Sequence, residues 1–281
     1  MSPRSESDDR PILVIGATGK SGRRVAERLQ AREVAVRRGS RASTPPFDWE
    51  DRSTWAPALQ GTSAAYVSFF PDLAVPGAPE AIEALVAEAL AAGTRRLVLL
   101  SGRGEEEAQR AEQVLQGSGA EWTILRCSWF SQNFSETSFR DALLGGELAL
   151  PVGDVPEPFV DVDDIADAAV AALTHEGHSG ELYELTGPRL LTFAEAVGEI
   201  GRACGRDLRY VQVSPEDYAA ALAAEQVPAD VVALLGYLFG EVLDGRNAQI
   251  TDGVQRALGR APRDFAQFAR YAAAGGAWDQ P

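Results

Sequence analysis

Three glycines at an even spacing, Gly16, Gly19 and Gly22, stand between a short apolar run and an amphipathic stretch. The run, Pro11-Ile12-Leu13-Val14-Ile15, has the unbroken apolar character of a strand buried on both faces of a parallel sheet. The stretch that follows carries Val25, Ala26 and Leu29 on one face and predicts a helix over 22–30. A strand, a glycine turn and a helix in this order leave the first helical amides open. The missing side chains let a pyrophosphate approach them. The segment Gly16-Ala17-Thr18-Gly19-Lys20-Ser21-Gly22 therefore predicts a dinucleotide-binding turn, with Gly16, Thr18, Gly19, Lys20, Ser21 and Gly22 as its contacts. The alternative is a tight strand-to-helix turn with no ligand.

The alternation continues. Val34–Val36, Ala64–Phe70, Arg96–Leu100 and Trp122–Leu125 read as strands, and 81–92 and 107–117 as helices. After about Gln132 the rhythm changes to short strand-like pieces at 147–151 and 159–160 and a helix over 163–173 opening in acids. A strand at 181–185 and mostly helical, alanine-rich sequence follow. Thr192-Phe193-Ala194-Glu195 is a capping box, and Ser214-Pro215 marks a further helix start. The expected architecture is α/β, a Rossmann-type doubly wound parallel sheet over 10–132. A smaller, mostly helical C-terminal substrate part over 133–281 is interleaved with that core.

Charge narrows the partners. With 26 basic and 41 acidic residues the chain carries −15, which argues against a nucleic-acid partner. No run approaches the roughly 18 apolar residues of a membrane span. The first nine residues form a polar tail without a signal core, so the expectation is a cytoplasmic protein. Two cysteines, Cys127 and Cys204, exclude a disulfide framework. The oligomeric state is not legible.

Against this acidic background, Lys20 to Arg41 holds eight basic residues and only Glu27 and Glu33 as acids. A small anionic ligand is one reading; for Arg23, Arg24, Arg28 and Arg32 a solvated helix face is the other. The end of the second strand, where a carboxylate would bond the ribose hydroxyls of NAD, offers Arg37-Arg38-Gly39-Ser40-Arg41 instead. Guanidinium groups there can grip a 2′-phosphate in bidentate fashion, so NADP(H) is the expected cofactor.

The spacing of the turn, G-x-x-G-x-x-G, is that of extended and atypical short-chain dehydrogenase/reductases. Nearly the whole chain resembles an NmrA-like member of that group. The resemblance rests on Gly16–Gly22, Ser40-Arg41, Phe47-Asp48-Trp49 with 55–61, 96–101, 122–134, 159–165, 183–188, and Gly259-Arg260-Ala261-Pro262 followed by Phe265 and Phe268. Within that group, Phe47-Asp48-Trp49, Pro71-Asp72-Leu73 and Trp129-Phe130 followed by Asn133-Phe134 most resemble the ergot-alkaloid reductases, the agroclavine and festuclavine dehydrogenases. The resemblance implies that Asp48 and Trp49 lie beside the adenine and that Phe69 and Phe70 line the cofactor cleft. It also implies that Ser101 and Cys127-Ser128-Trp129 sit near the nicotinamide, with Trp129, Phe130 and Asn133 toward the substrate. Read from the residues alone, Trp49 and Phe69-Phe70 are equally core residues.

Most short-chain dehydrogenases pass a proton through a Tyr-x-x-x-Lys pair. Lys20 is the only lysine here, so that pair cannot be written. Two readings stand. Hydride passes to an already activated acceptor (an iminium ion, quinone or conjugated carbonyl, hence an apolar or cationic small molecule), or the protein is a non-catalytic NADP(H)-binding redox sensor. No catalytic residue is assigned. Val231–Leu243 is either an apolar substrate wall or helix-to-core packing. His175 and His178 suggest a surface loop, and Asp161, Asp163 and Asp164 a helix N-terminus, so no metal site is expected. Cys127 reads as a small core residue more readily than as a reactive thiol.

Overall fold

The structure, a computed structural model, describes residues 9–279. Nearly all of the polar tail read above lies outside the described residues. In chain order the elements are β1 (Ile12–Ile15), α1 (Lys20–Ala31), β2 (Val36–Gly39), α2 (Trp55–Leu59), β3 (Ala64–Val67), α3 (Ala78–Ala91), β4 (Arg96–Gly102), α4 (Glu106–Gly117) and β5 (Glu121–Cys127). There follow α5 (Asn133–Glu136), α6 (Ser138–Leu144), β6 (Glu147–Leu150), α7 (Val162–Thr174), β7 (Glu181–Leu185), α8 (Phe193–Cys204), β8 (Arg209–Gln212), α9 (Pro215–Ala224), α10 (Ala229–Tyr237), α11 (Gly253–Leu258) and α12 (Phe265–Ala274). They fall into two units that the chain enters more than once. The first comprises the residues up to Cys127, then Val162–Leu185 and Asp252–Arg260; the second comprises Ser128–Asp161, Thr186–Thr251 and the residues from Ala261 onward.

The first unit is a six-stranded, wholly parallel sheet in the order β2-β1-β3-β4-β5-β7, the Rossmann-type α/β fold expected. β1 and β3 are buried along their whole length, which is why their sequences are continuous apolar runs rather than alternating ones. β2 is an edge strand, and it departs from the expectation. The ladder starts at Val36, opposite Ile12, and runs through Arg37 and Arg38 to Gly39, opposite Ile15. Val34 instead closes the turn after α1, its amide donating to Leu29 O at 3.0 Å. A half-exposed edge tolerates two arginines where an inner strand would not. α7 packs on α1, and the helix carries its acids at its start as expected.

The second unit pairs β6 and β8 in parallel and is otherwise helical. Its centre is aromatic: Phe134 lies 5.4–5.8 Å from the rings of Phe139, Phe159, Phe193 and Phe265. Burying a ring of this kind stabilises by roughly 1.5–3 kcal/mol. The capping box at Thr192 and Glu195 is formed in both directions, and Ser214 caps α9 by accepting from the Asp217 amide. Phe130 and Val160 form an isolated parallel bridge, and Gly187 packs so tightly that a Cβ there would stand 2.2 Å from Phe159 O.

Candidate functional site

At the carboxyl end of β1 the chain turns at Gly16, whose φ of 75° is a left-handed conformation that glycine adopts without strain. Gly16 N donates to Gly39 O (3.0 Å), and Gly16 O accepts from Gly19 N (2.9 Å). α1 then begins with Gly19 as N-cap; no side chain caps it and no acid stands in its first turn. The first amides and the positive end of the helix dipole are thereby left for an anion. Gly22 closes the back of the turn: a Cβ there would lie 2.2 Å from Gly16 O and 2.7 Å from Gly16 C. Thr18 and Gly19 are exposed, Lys20 is half-buried and Ser21 is buried.

Across from Gly16 stands Ser68, at the end of β3; a Gly16 Cβ would meet the Ser68 Cβ at 3.1 Å. The sheet order reverses between β1 and β3, and open parallel sheets bind ligands outside the carboxyl ends of their strands at such a reversal. A bare backbone cradle, an uncapped helix start and this position in the sheet together fit the pyrophosphate of a dinucleotide.

On the β2 side the cluster of basic residues resolves into three roles. Arg24 and Arg28 hold Asp163 and Asp167 of α7, with contacts of 3.2, 2.7 and 2.7 Å, so they join two helices instead of forming a solvated face. Arg37 donates to Ala58 O and Gln60 O (2.7 and 2.6 Å), tying down the end of α2. Arg38 projects to the opposite face of the strand, is exposed, and reaches Gln30 Oε1 at 3.0 Å; Arg41 is exposed as well. Ser40 shapes the following loop, its Oγ sharing a hydrogen bond with Ser43 Oγ (2.7 Å) and its carbonyl accepting from Phe47 N (2.9 Å).

Asp48 and Trp49 are half-buried. Asp48 Oδ1 accepts from Glu50 N, and Trp49 Nε1 donates to Ser68 O at 3.1 Å. The Trp49 ring packs on Phe47, Trp55 and Phe69 with centroids 5.1, 5.5 and 4.6 Å away. Trp49 and Phe69 thus combine a core contact with partial exposure beside the β1/β3 reversal, whereas Phe70 is 69% exposed.

The ends of β4, β5 and β7 carry a charged network that the sequence reading missed. Ser101 is buried and donates its Oγ to Glu112 Oε1 at 2.6 Å. Arg126 grips both oxygens of that carboxylate and reaches Glu184 Oε1 at 2.9 Å; Arg103 Nε lies 3.5 Å from Glu184. The Ser101 hydroxyl is therefore already committed as a donor. One signal was available: an arginine inside the otherwise apolar 122–127 run must find a partner. Next to it, burial pushes the Cys127 thiol well up, consistent with a core residue.

His178 corrects an expectation. It is buried rather than on a surface loop, Nδ1 lying 2.9 Å from Tyr183 Oη, because Thr123 Oγ1 donates to its carbonyl and draws the loop in. Burial lowers its pKa. Of the acids near α7, Asp163 binds Arg24 and Arg28, Asp164 binds Arg260 at 2.7 Å, and Asp161 accepts from Gln132 at 2.7 Å. Among the described residues no helix is long and apolar enough to cross a membrane.

In the second unit Trp129, Phe130 and Asn133 are all half-buried and lie on one short segment. Trp129 N donates to Glu157 Oε1, and its ring packs on Phe193 and Phe239 at 5.8 and 5.1 Å. Phe239 also contacts Tyr218, so the 231–243 segment packs against the aromatic core at that residue. Every residue of α10 stays at least partly exposed.

The chain matches a family model described as NAD(P)H-binding over residues 16–176. It is 33% identical to an uncharacterized oxidoreductase, YesF, of Bacillus subtilis, covering 92% of this chain and 94% of that one. It is 28% identical to the agroclavine dehydrogenase of Claviceps fusiformis, covering 92% and 95%. Among solved structures, the Citrobacter triphenylmethane reductase complexed with NADP(H) superposes with a TM-score of 0.74 at 20% identity, over 93% of this chain and 99% of that one. The glycine cradle at β1 and these matches lead to one conclusion: the chain belongs to the NAD(P)H-binding family of Rossmann-fold oxidoreductases with an NmrA-like fold.

Proposed function

We propose that this protein is an NADPH-dependent reductase that passes hydride to an activated acceptor, an iminium ion, quinone or conjugated carbonyl. The observation that carries the reading is the uncapped, acid-free start of α1 against the bare Gly16–Gly22 cradle. The amides of this turn, with Thr18, Lys20 and Ser21, bind the pyrophosphate. Arg38 and Arg41, with Ser40, take the 2′-phosphate at a strand end whose own segment, 37–41, carries no carboxylate. Asp48 and Trp49 border the adenine, Phe69 and Phe70 flank the cofactor, and Ser101 holds Glu112 in place near the nicotinamide end. Trp129, Phe130 and Asn133 border an apolar or cationic acceptor. When bound, the reduced dinucleotide supplies hydride. Without a Tyr-x-x-x-Lys pair, acceptors that are already electrophilic are the fitting class.

NADPH oxidation measured with cyclic iminium ions, quinones and enones tests the reading. Turnover of at least one class is expected; tight NADP(H) binding with no turnover of any would replace the enzyme by the redox-sensing alternative. Arg38→Ala or Arg41→Ala removes a charge-assisted contact of roughly 1.5–3 kcal/mol, so the NADPH-over-NADH preference should fall on the order of ten- to a hundredfold. Arg37→Ala should leave that preference unchanged, because its guanidinium serves Ala58 and Gln60. Titration calorimetry with both cofactors reads all three. An unchanged ratio in both Arg38 and Arg41 variants would remove the phosphate site from β2.

A further inference from the structure

The loops after β3 and β4 bring together two carboxyl groups that the reductase reading does not use. Glu105 is the N-cap of α4, yet its side chain does not cap the helix. It folds back over the end of β4, so close that a Cβ on Gly102 would lie 2.0 Å from Glu105 Oε1. The residue is only 9% exposed, and no protein donor reaches its Oε2. Facing it within hydrogen-bonding reach is the carboxyl of Asp72. Two carboxylates are acceptors only, so a hydrogen bond between them requires that one carry a proton. Burial raises Asp72 too, but the Ala74 amide, donating to Asp72 Oδ1 at 2.9 Å, favours the ionised form there. Glu105 is raised further and its Oε2 has no such donor, which places the proton on Glu105.

Other groups stand near this pair. Glu112 on α4 adds negative charge nearby, Cys127 at the end of β5 is a buried thiol, and Arg103 is directed to Glu184. Burial first, then the Asp72 charge, raise Glu105 well above the ordinary carboxyl range. Asp72 is half-buried, more open to solvent than Glu105. Both residues stand at the carboxyl ends of the strands next to the β1/β3 reversal, on the side away from β2 and its arginines.

We propose that the Glu105–Asp72 pair is the proton donor of this reductase, in the role that a Tyr-x-x-x-Lys pair has elsewhere. The inference rests on the reductase reading above. Reduction of a neutral acceptor adds one hydride and one proton. The hydride comes from the reduced nicotinamide, which is oxidised. The O–H bond of Glu105 breaks as the new bond to the acceptor forms, leaving both carboxyls ionised until Asp72 relays a proton from solvent. A cationic iminium ion needs only the hydride and becomes a neutral amine. The pair therefore extends the acceptor range from cations to quinones and enones.

Glu105→Gln keeps the shape of the side chain and a hydrogen bond to Asp72 but carries no transferable proton. The ratio of kcat with a quinone or enone to kcat with a cyclic iminium ion is expected to fall on the order of a hundredfold. In the wild type, turnover of the neutral acceptor falls as pH rises through the pair's raised pKa; in the variant that limb flattens. Gly102→Ala, which must push the carboxyl off its seat, should lower the same ratio. Independently of turnover, the infrared carbonyl band of an un-ionised carboxylic acid should be present in the cofactor-free wild type at pH 7 and lost in Glu105→Gln. An unchanged ratio, or no such band, overturns the proposal while the reductase reading stands on its iminium turnover. No turnover of any acceptor overturns both, and the band then tells only where the proton sits.

Discussion

Gly22→Ala is expected to be the most damaging single substitution for cofactor binding. The new Cβ would lie 2.2 Å from Gly16 O and 2.7 Å from Gly16 C, both backbone atoms. Neither can yield cheaply: Gly16 N is bonded to Gly39 O, and Gly16 O receives the Gly19 amide. Relief requires α1 to move away from β1, which opens the cradle that would hold the pyrophosphate. The expected cost is roughly 1–3 kcal/mol in stability. NADPH affinity should fall by about a hundredfold, equivalent to roughly 2.7 kcal/mol. Thermal unfolding without cofactor and titration calorimetry with NADPH separate the two effects. Gly19→Ala is the comparison, since its Cβ would stand 3.3 Å from Gly16 O, a contact that a small shift relieves. If Gly22→Ala binds NADPH as the wild type does, the cradle is not the binding site.

The largest loss of stability is expected from Arg126→Met. Glu112 is 2% exposed, and its carboxylate is held by Arg126 on both oxygens and by Ser101 on one. Removing the guanidinium strands a buried negative charge with a single hydroxyl donor and withdraws one partner from Glu184. Breaking one side of a buried ion pair costs about 3–5 kcal/mol, a fall in Tm on the order of 10 °C. The penalty belongs to the orphaned charge rather than to the missing arginine, so the double variant Arg126→Met, Glu112→Gln should recover a large part of it. Equal melting of the single and double variants would show that packing of the arginine stem, not charge, accounts for the loss.

Proton linkage gives the Glu105–Asp72 pair a signature in stability. A carboxyl whose folded pKa is raised binds more protons folded than unfolded. Its contribution is complete below the ordinary carboxyl range and is lost as pH rises through the folded value. Denaturant melts of Glu105→Gln should accordingly lose less stability between neutral and alkaline pH than those of the wild type.

Much of this molecule was legible because the signals involved are local. The apolar runs at 12–15, 64–67 and 96–100, the glycines between strand and helix, the capping box at Thr192 and the Ser214-Pro215 start each depend on a few consecutive residues and the backbone geometry those residues favour. The sequence by itself therefore determined that a parallel sheet carries a glycine turn suited to a dinucleotide, and that arginines rather than an acid follow the second strand. It could not determine which arginines are free to meet a ligand. Arg24, Arg28 and Arg37 read like Arg38 and Arg41 until α7 and α2 were in place to engage them. It misplaced His178, whose burial follows from the pairing of β5 with β7. It gave no hint that Glu105 and Asp72 form a pair, since they lie on loops after different strands and face each other only because β3 and β4 are neighbours in the sheet. The physical reason is common to all of these. A charge in sequence has a type but no environment, and its proton, its partner and its work are set by groups that only tertiary packing brings within a few ångströms.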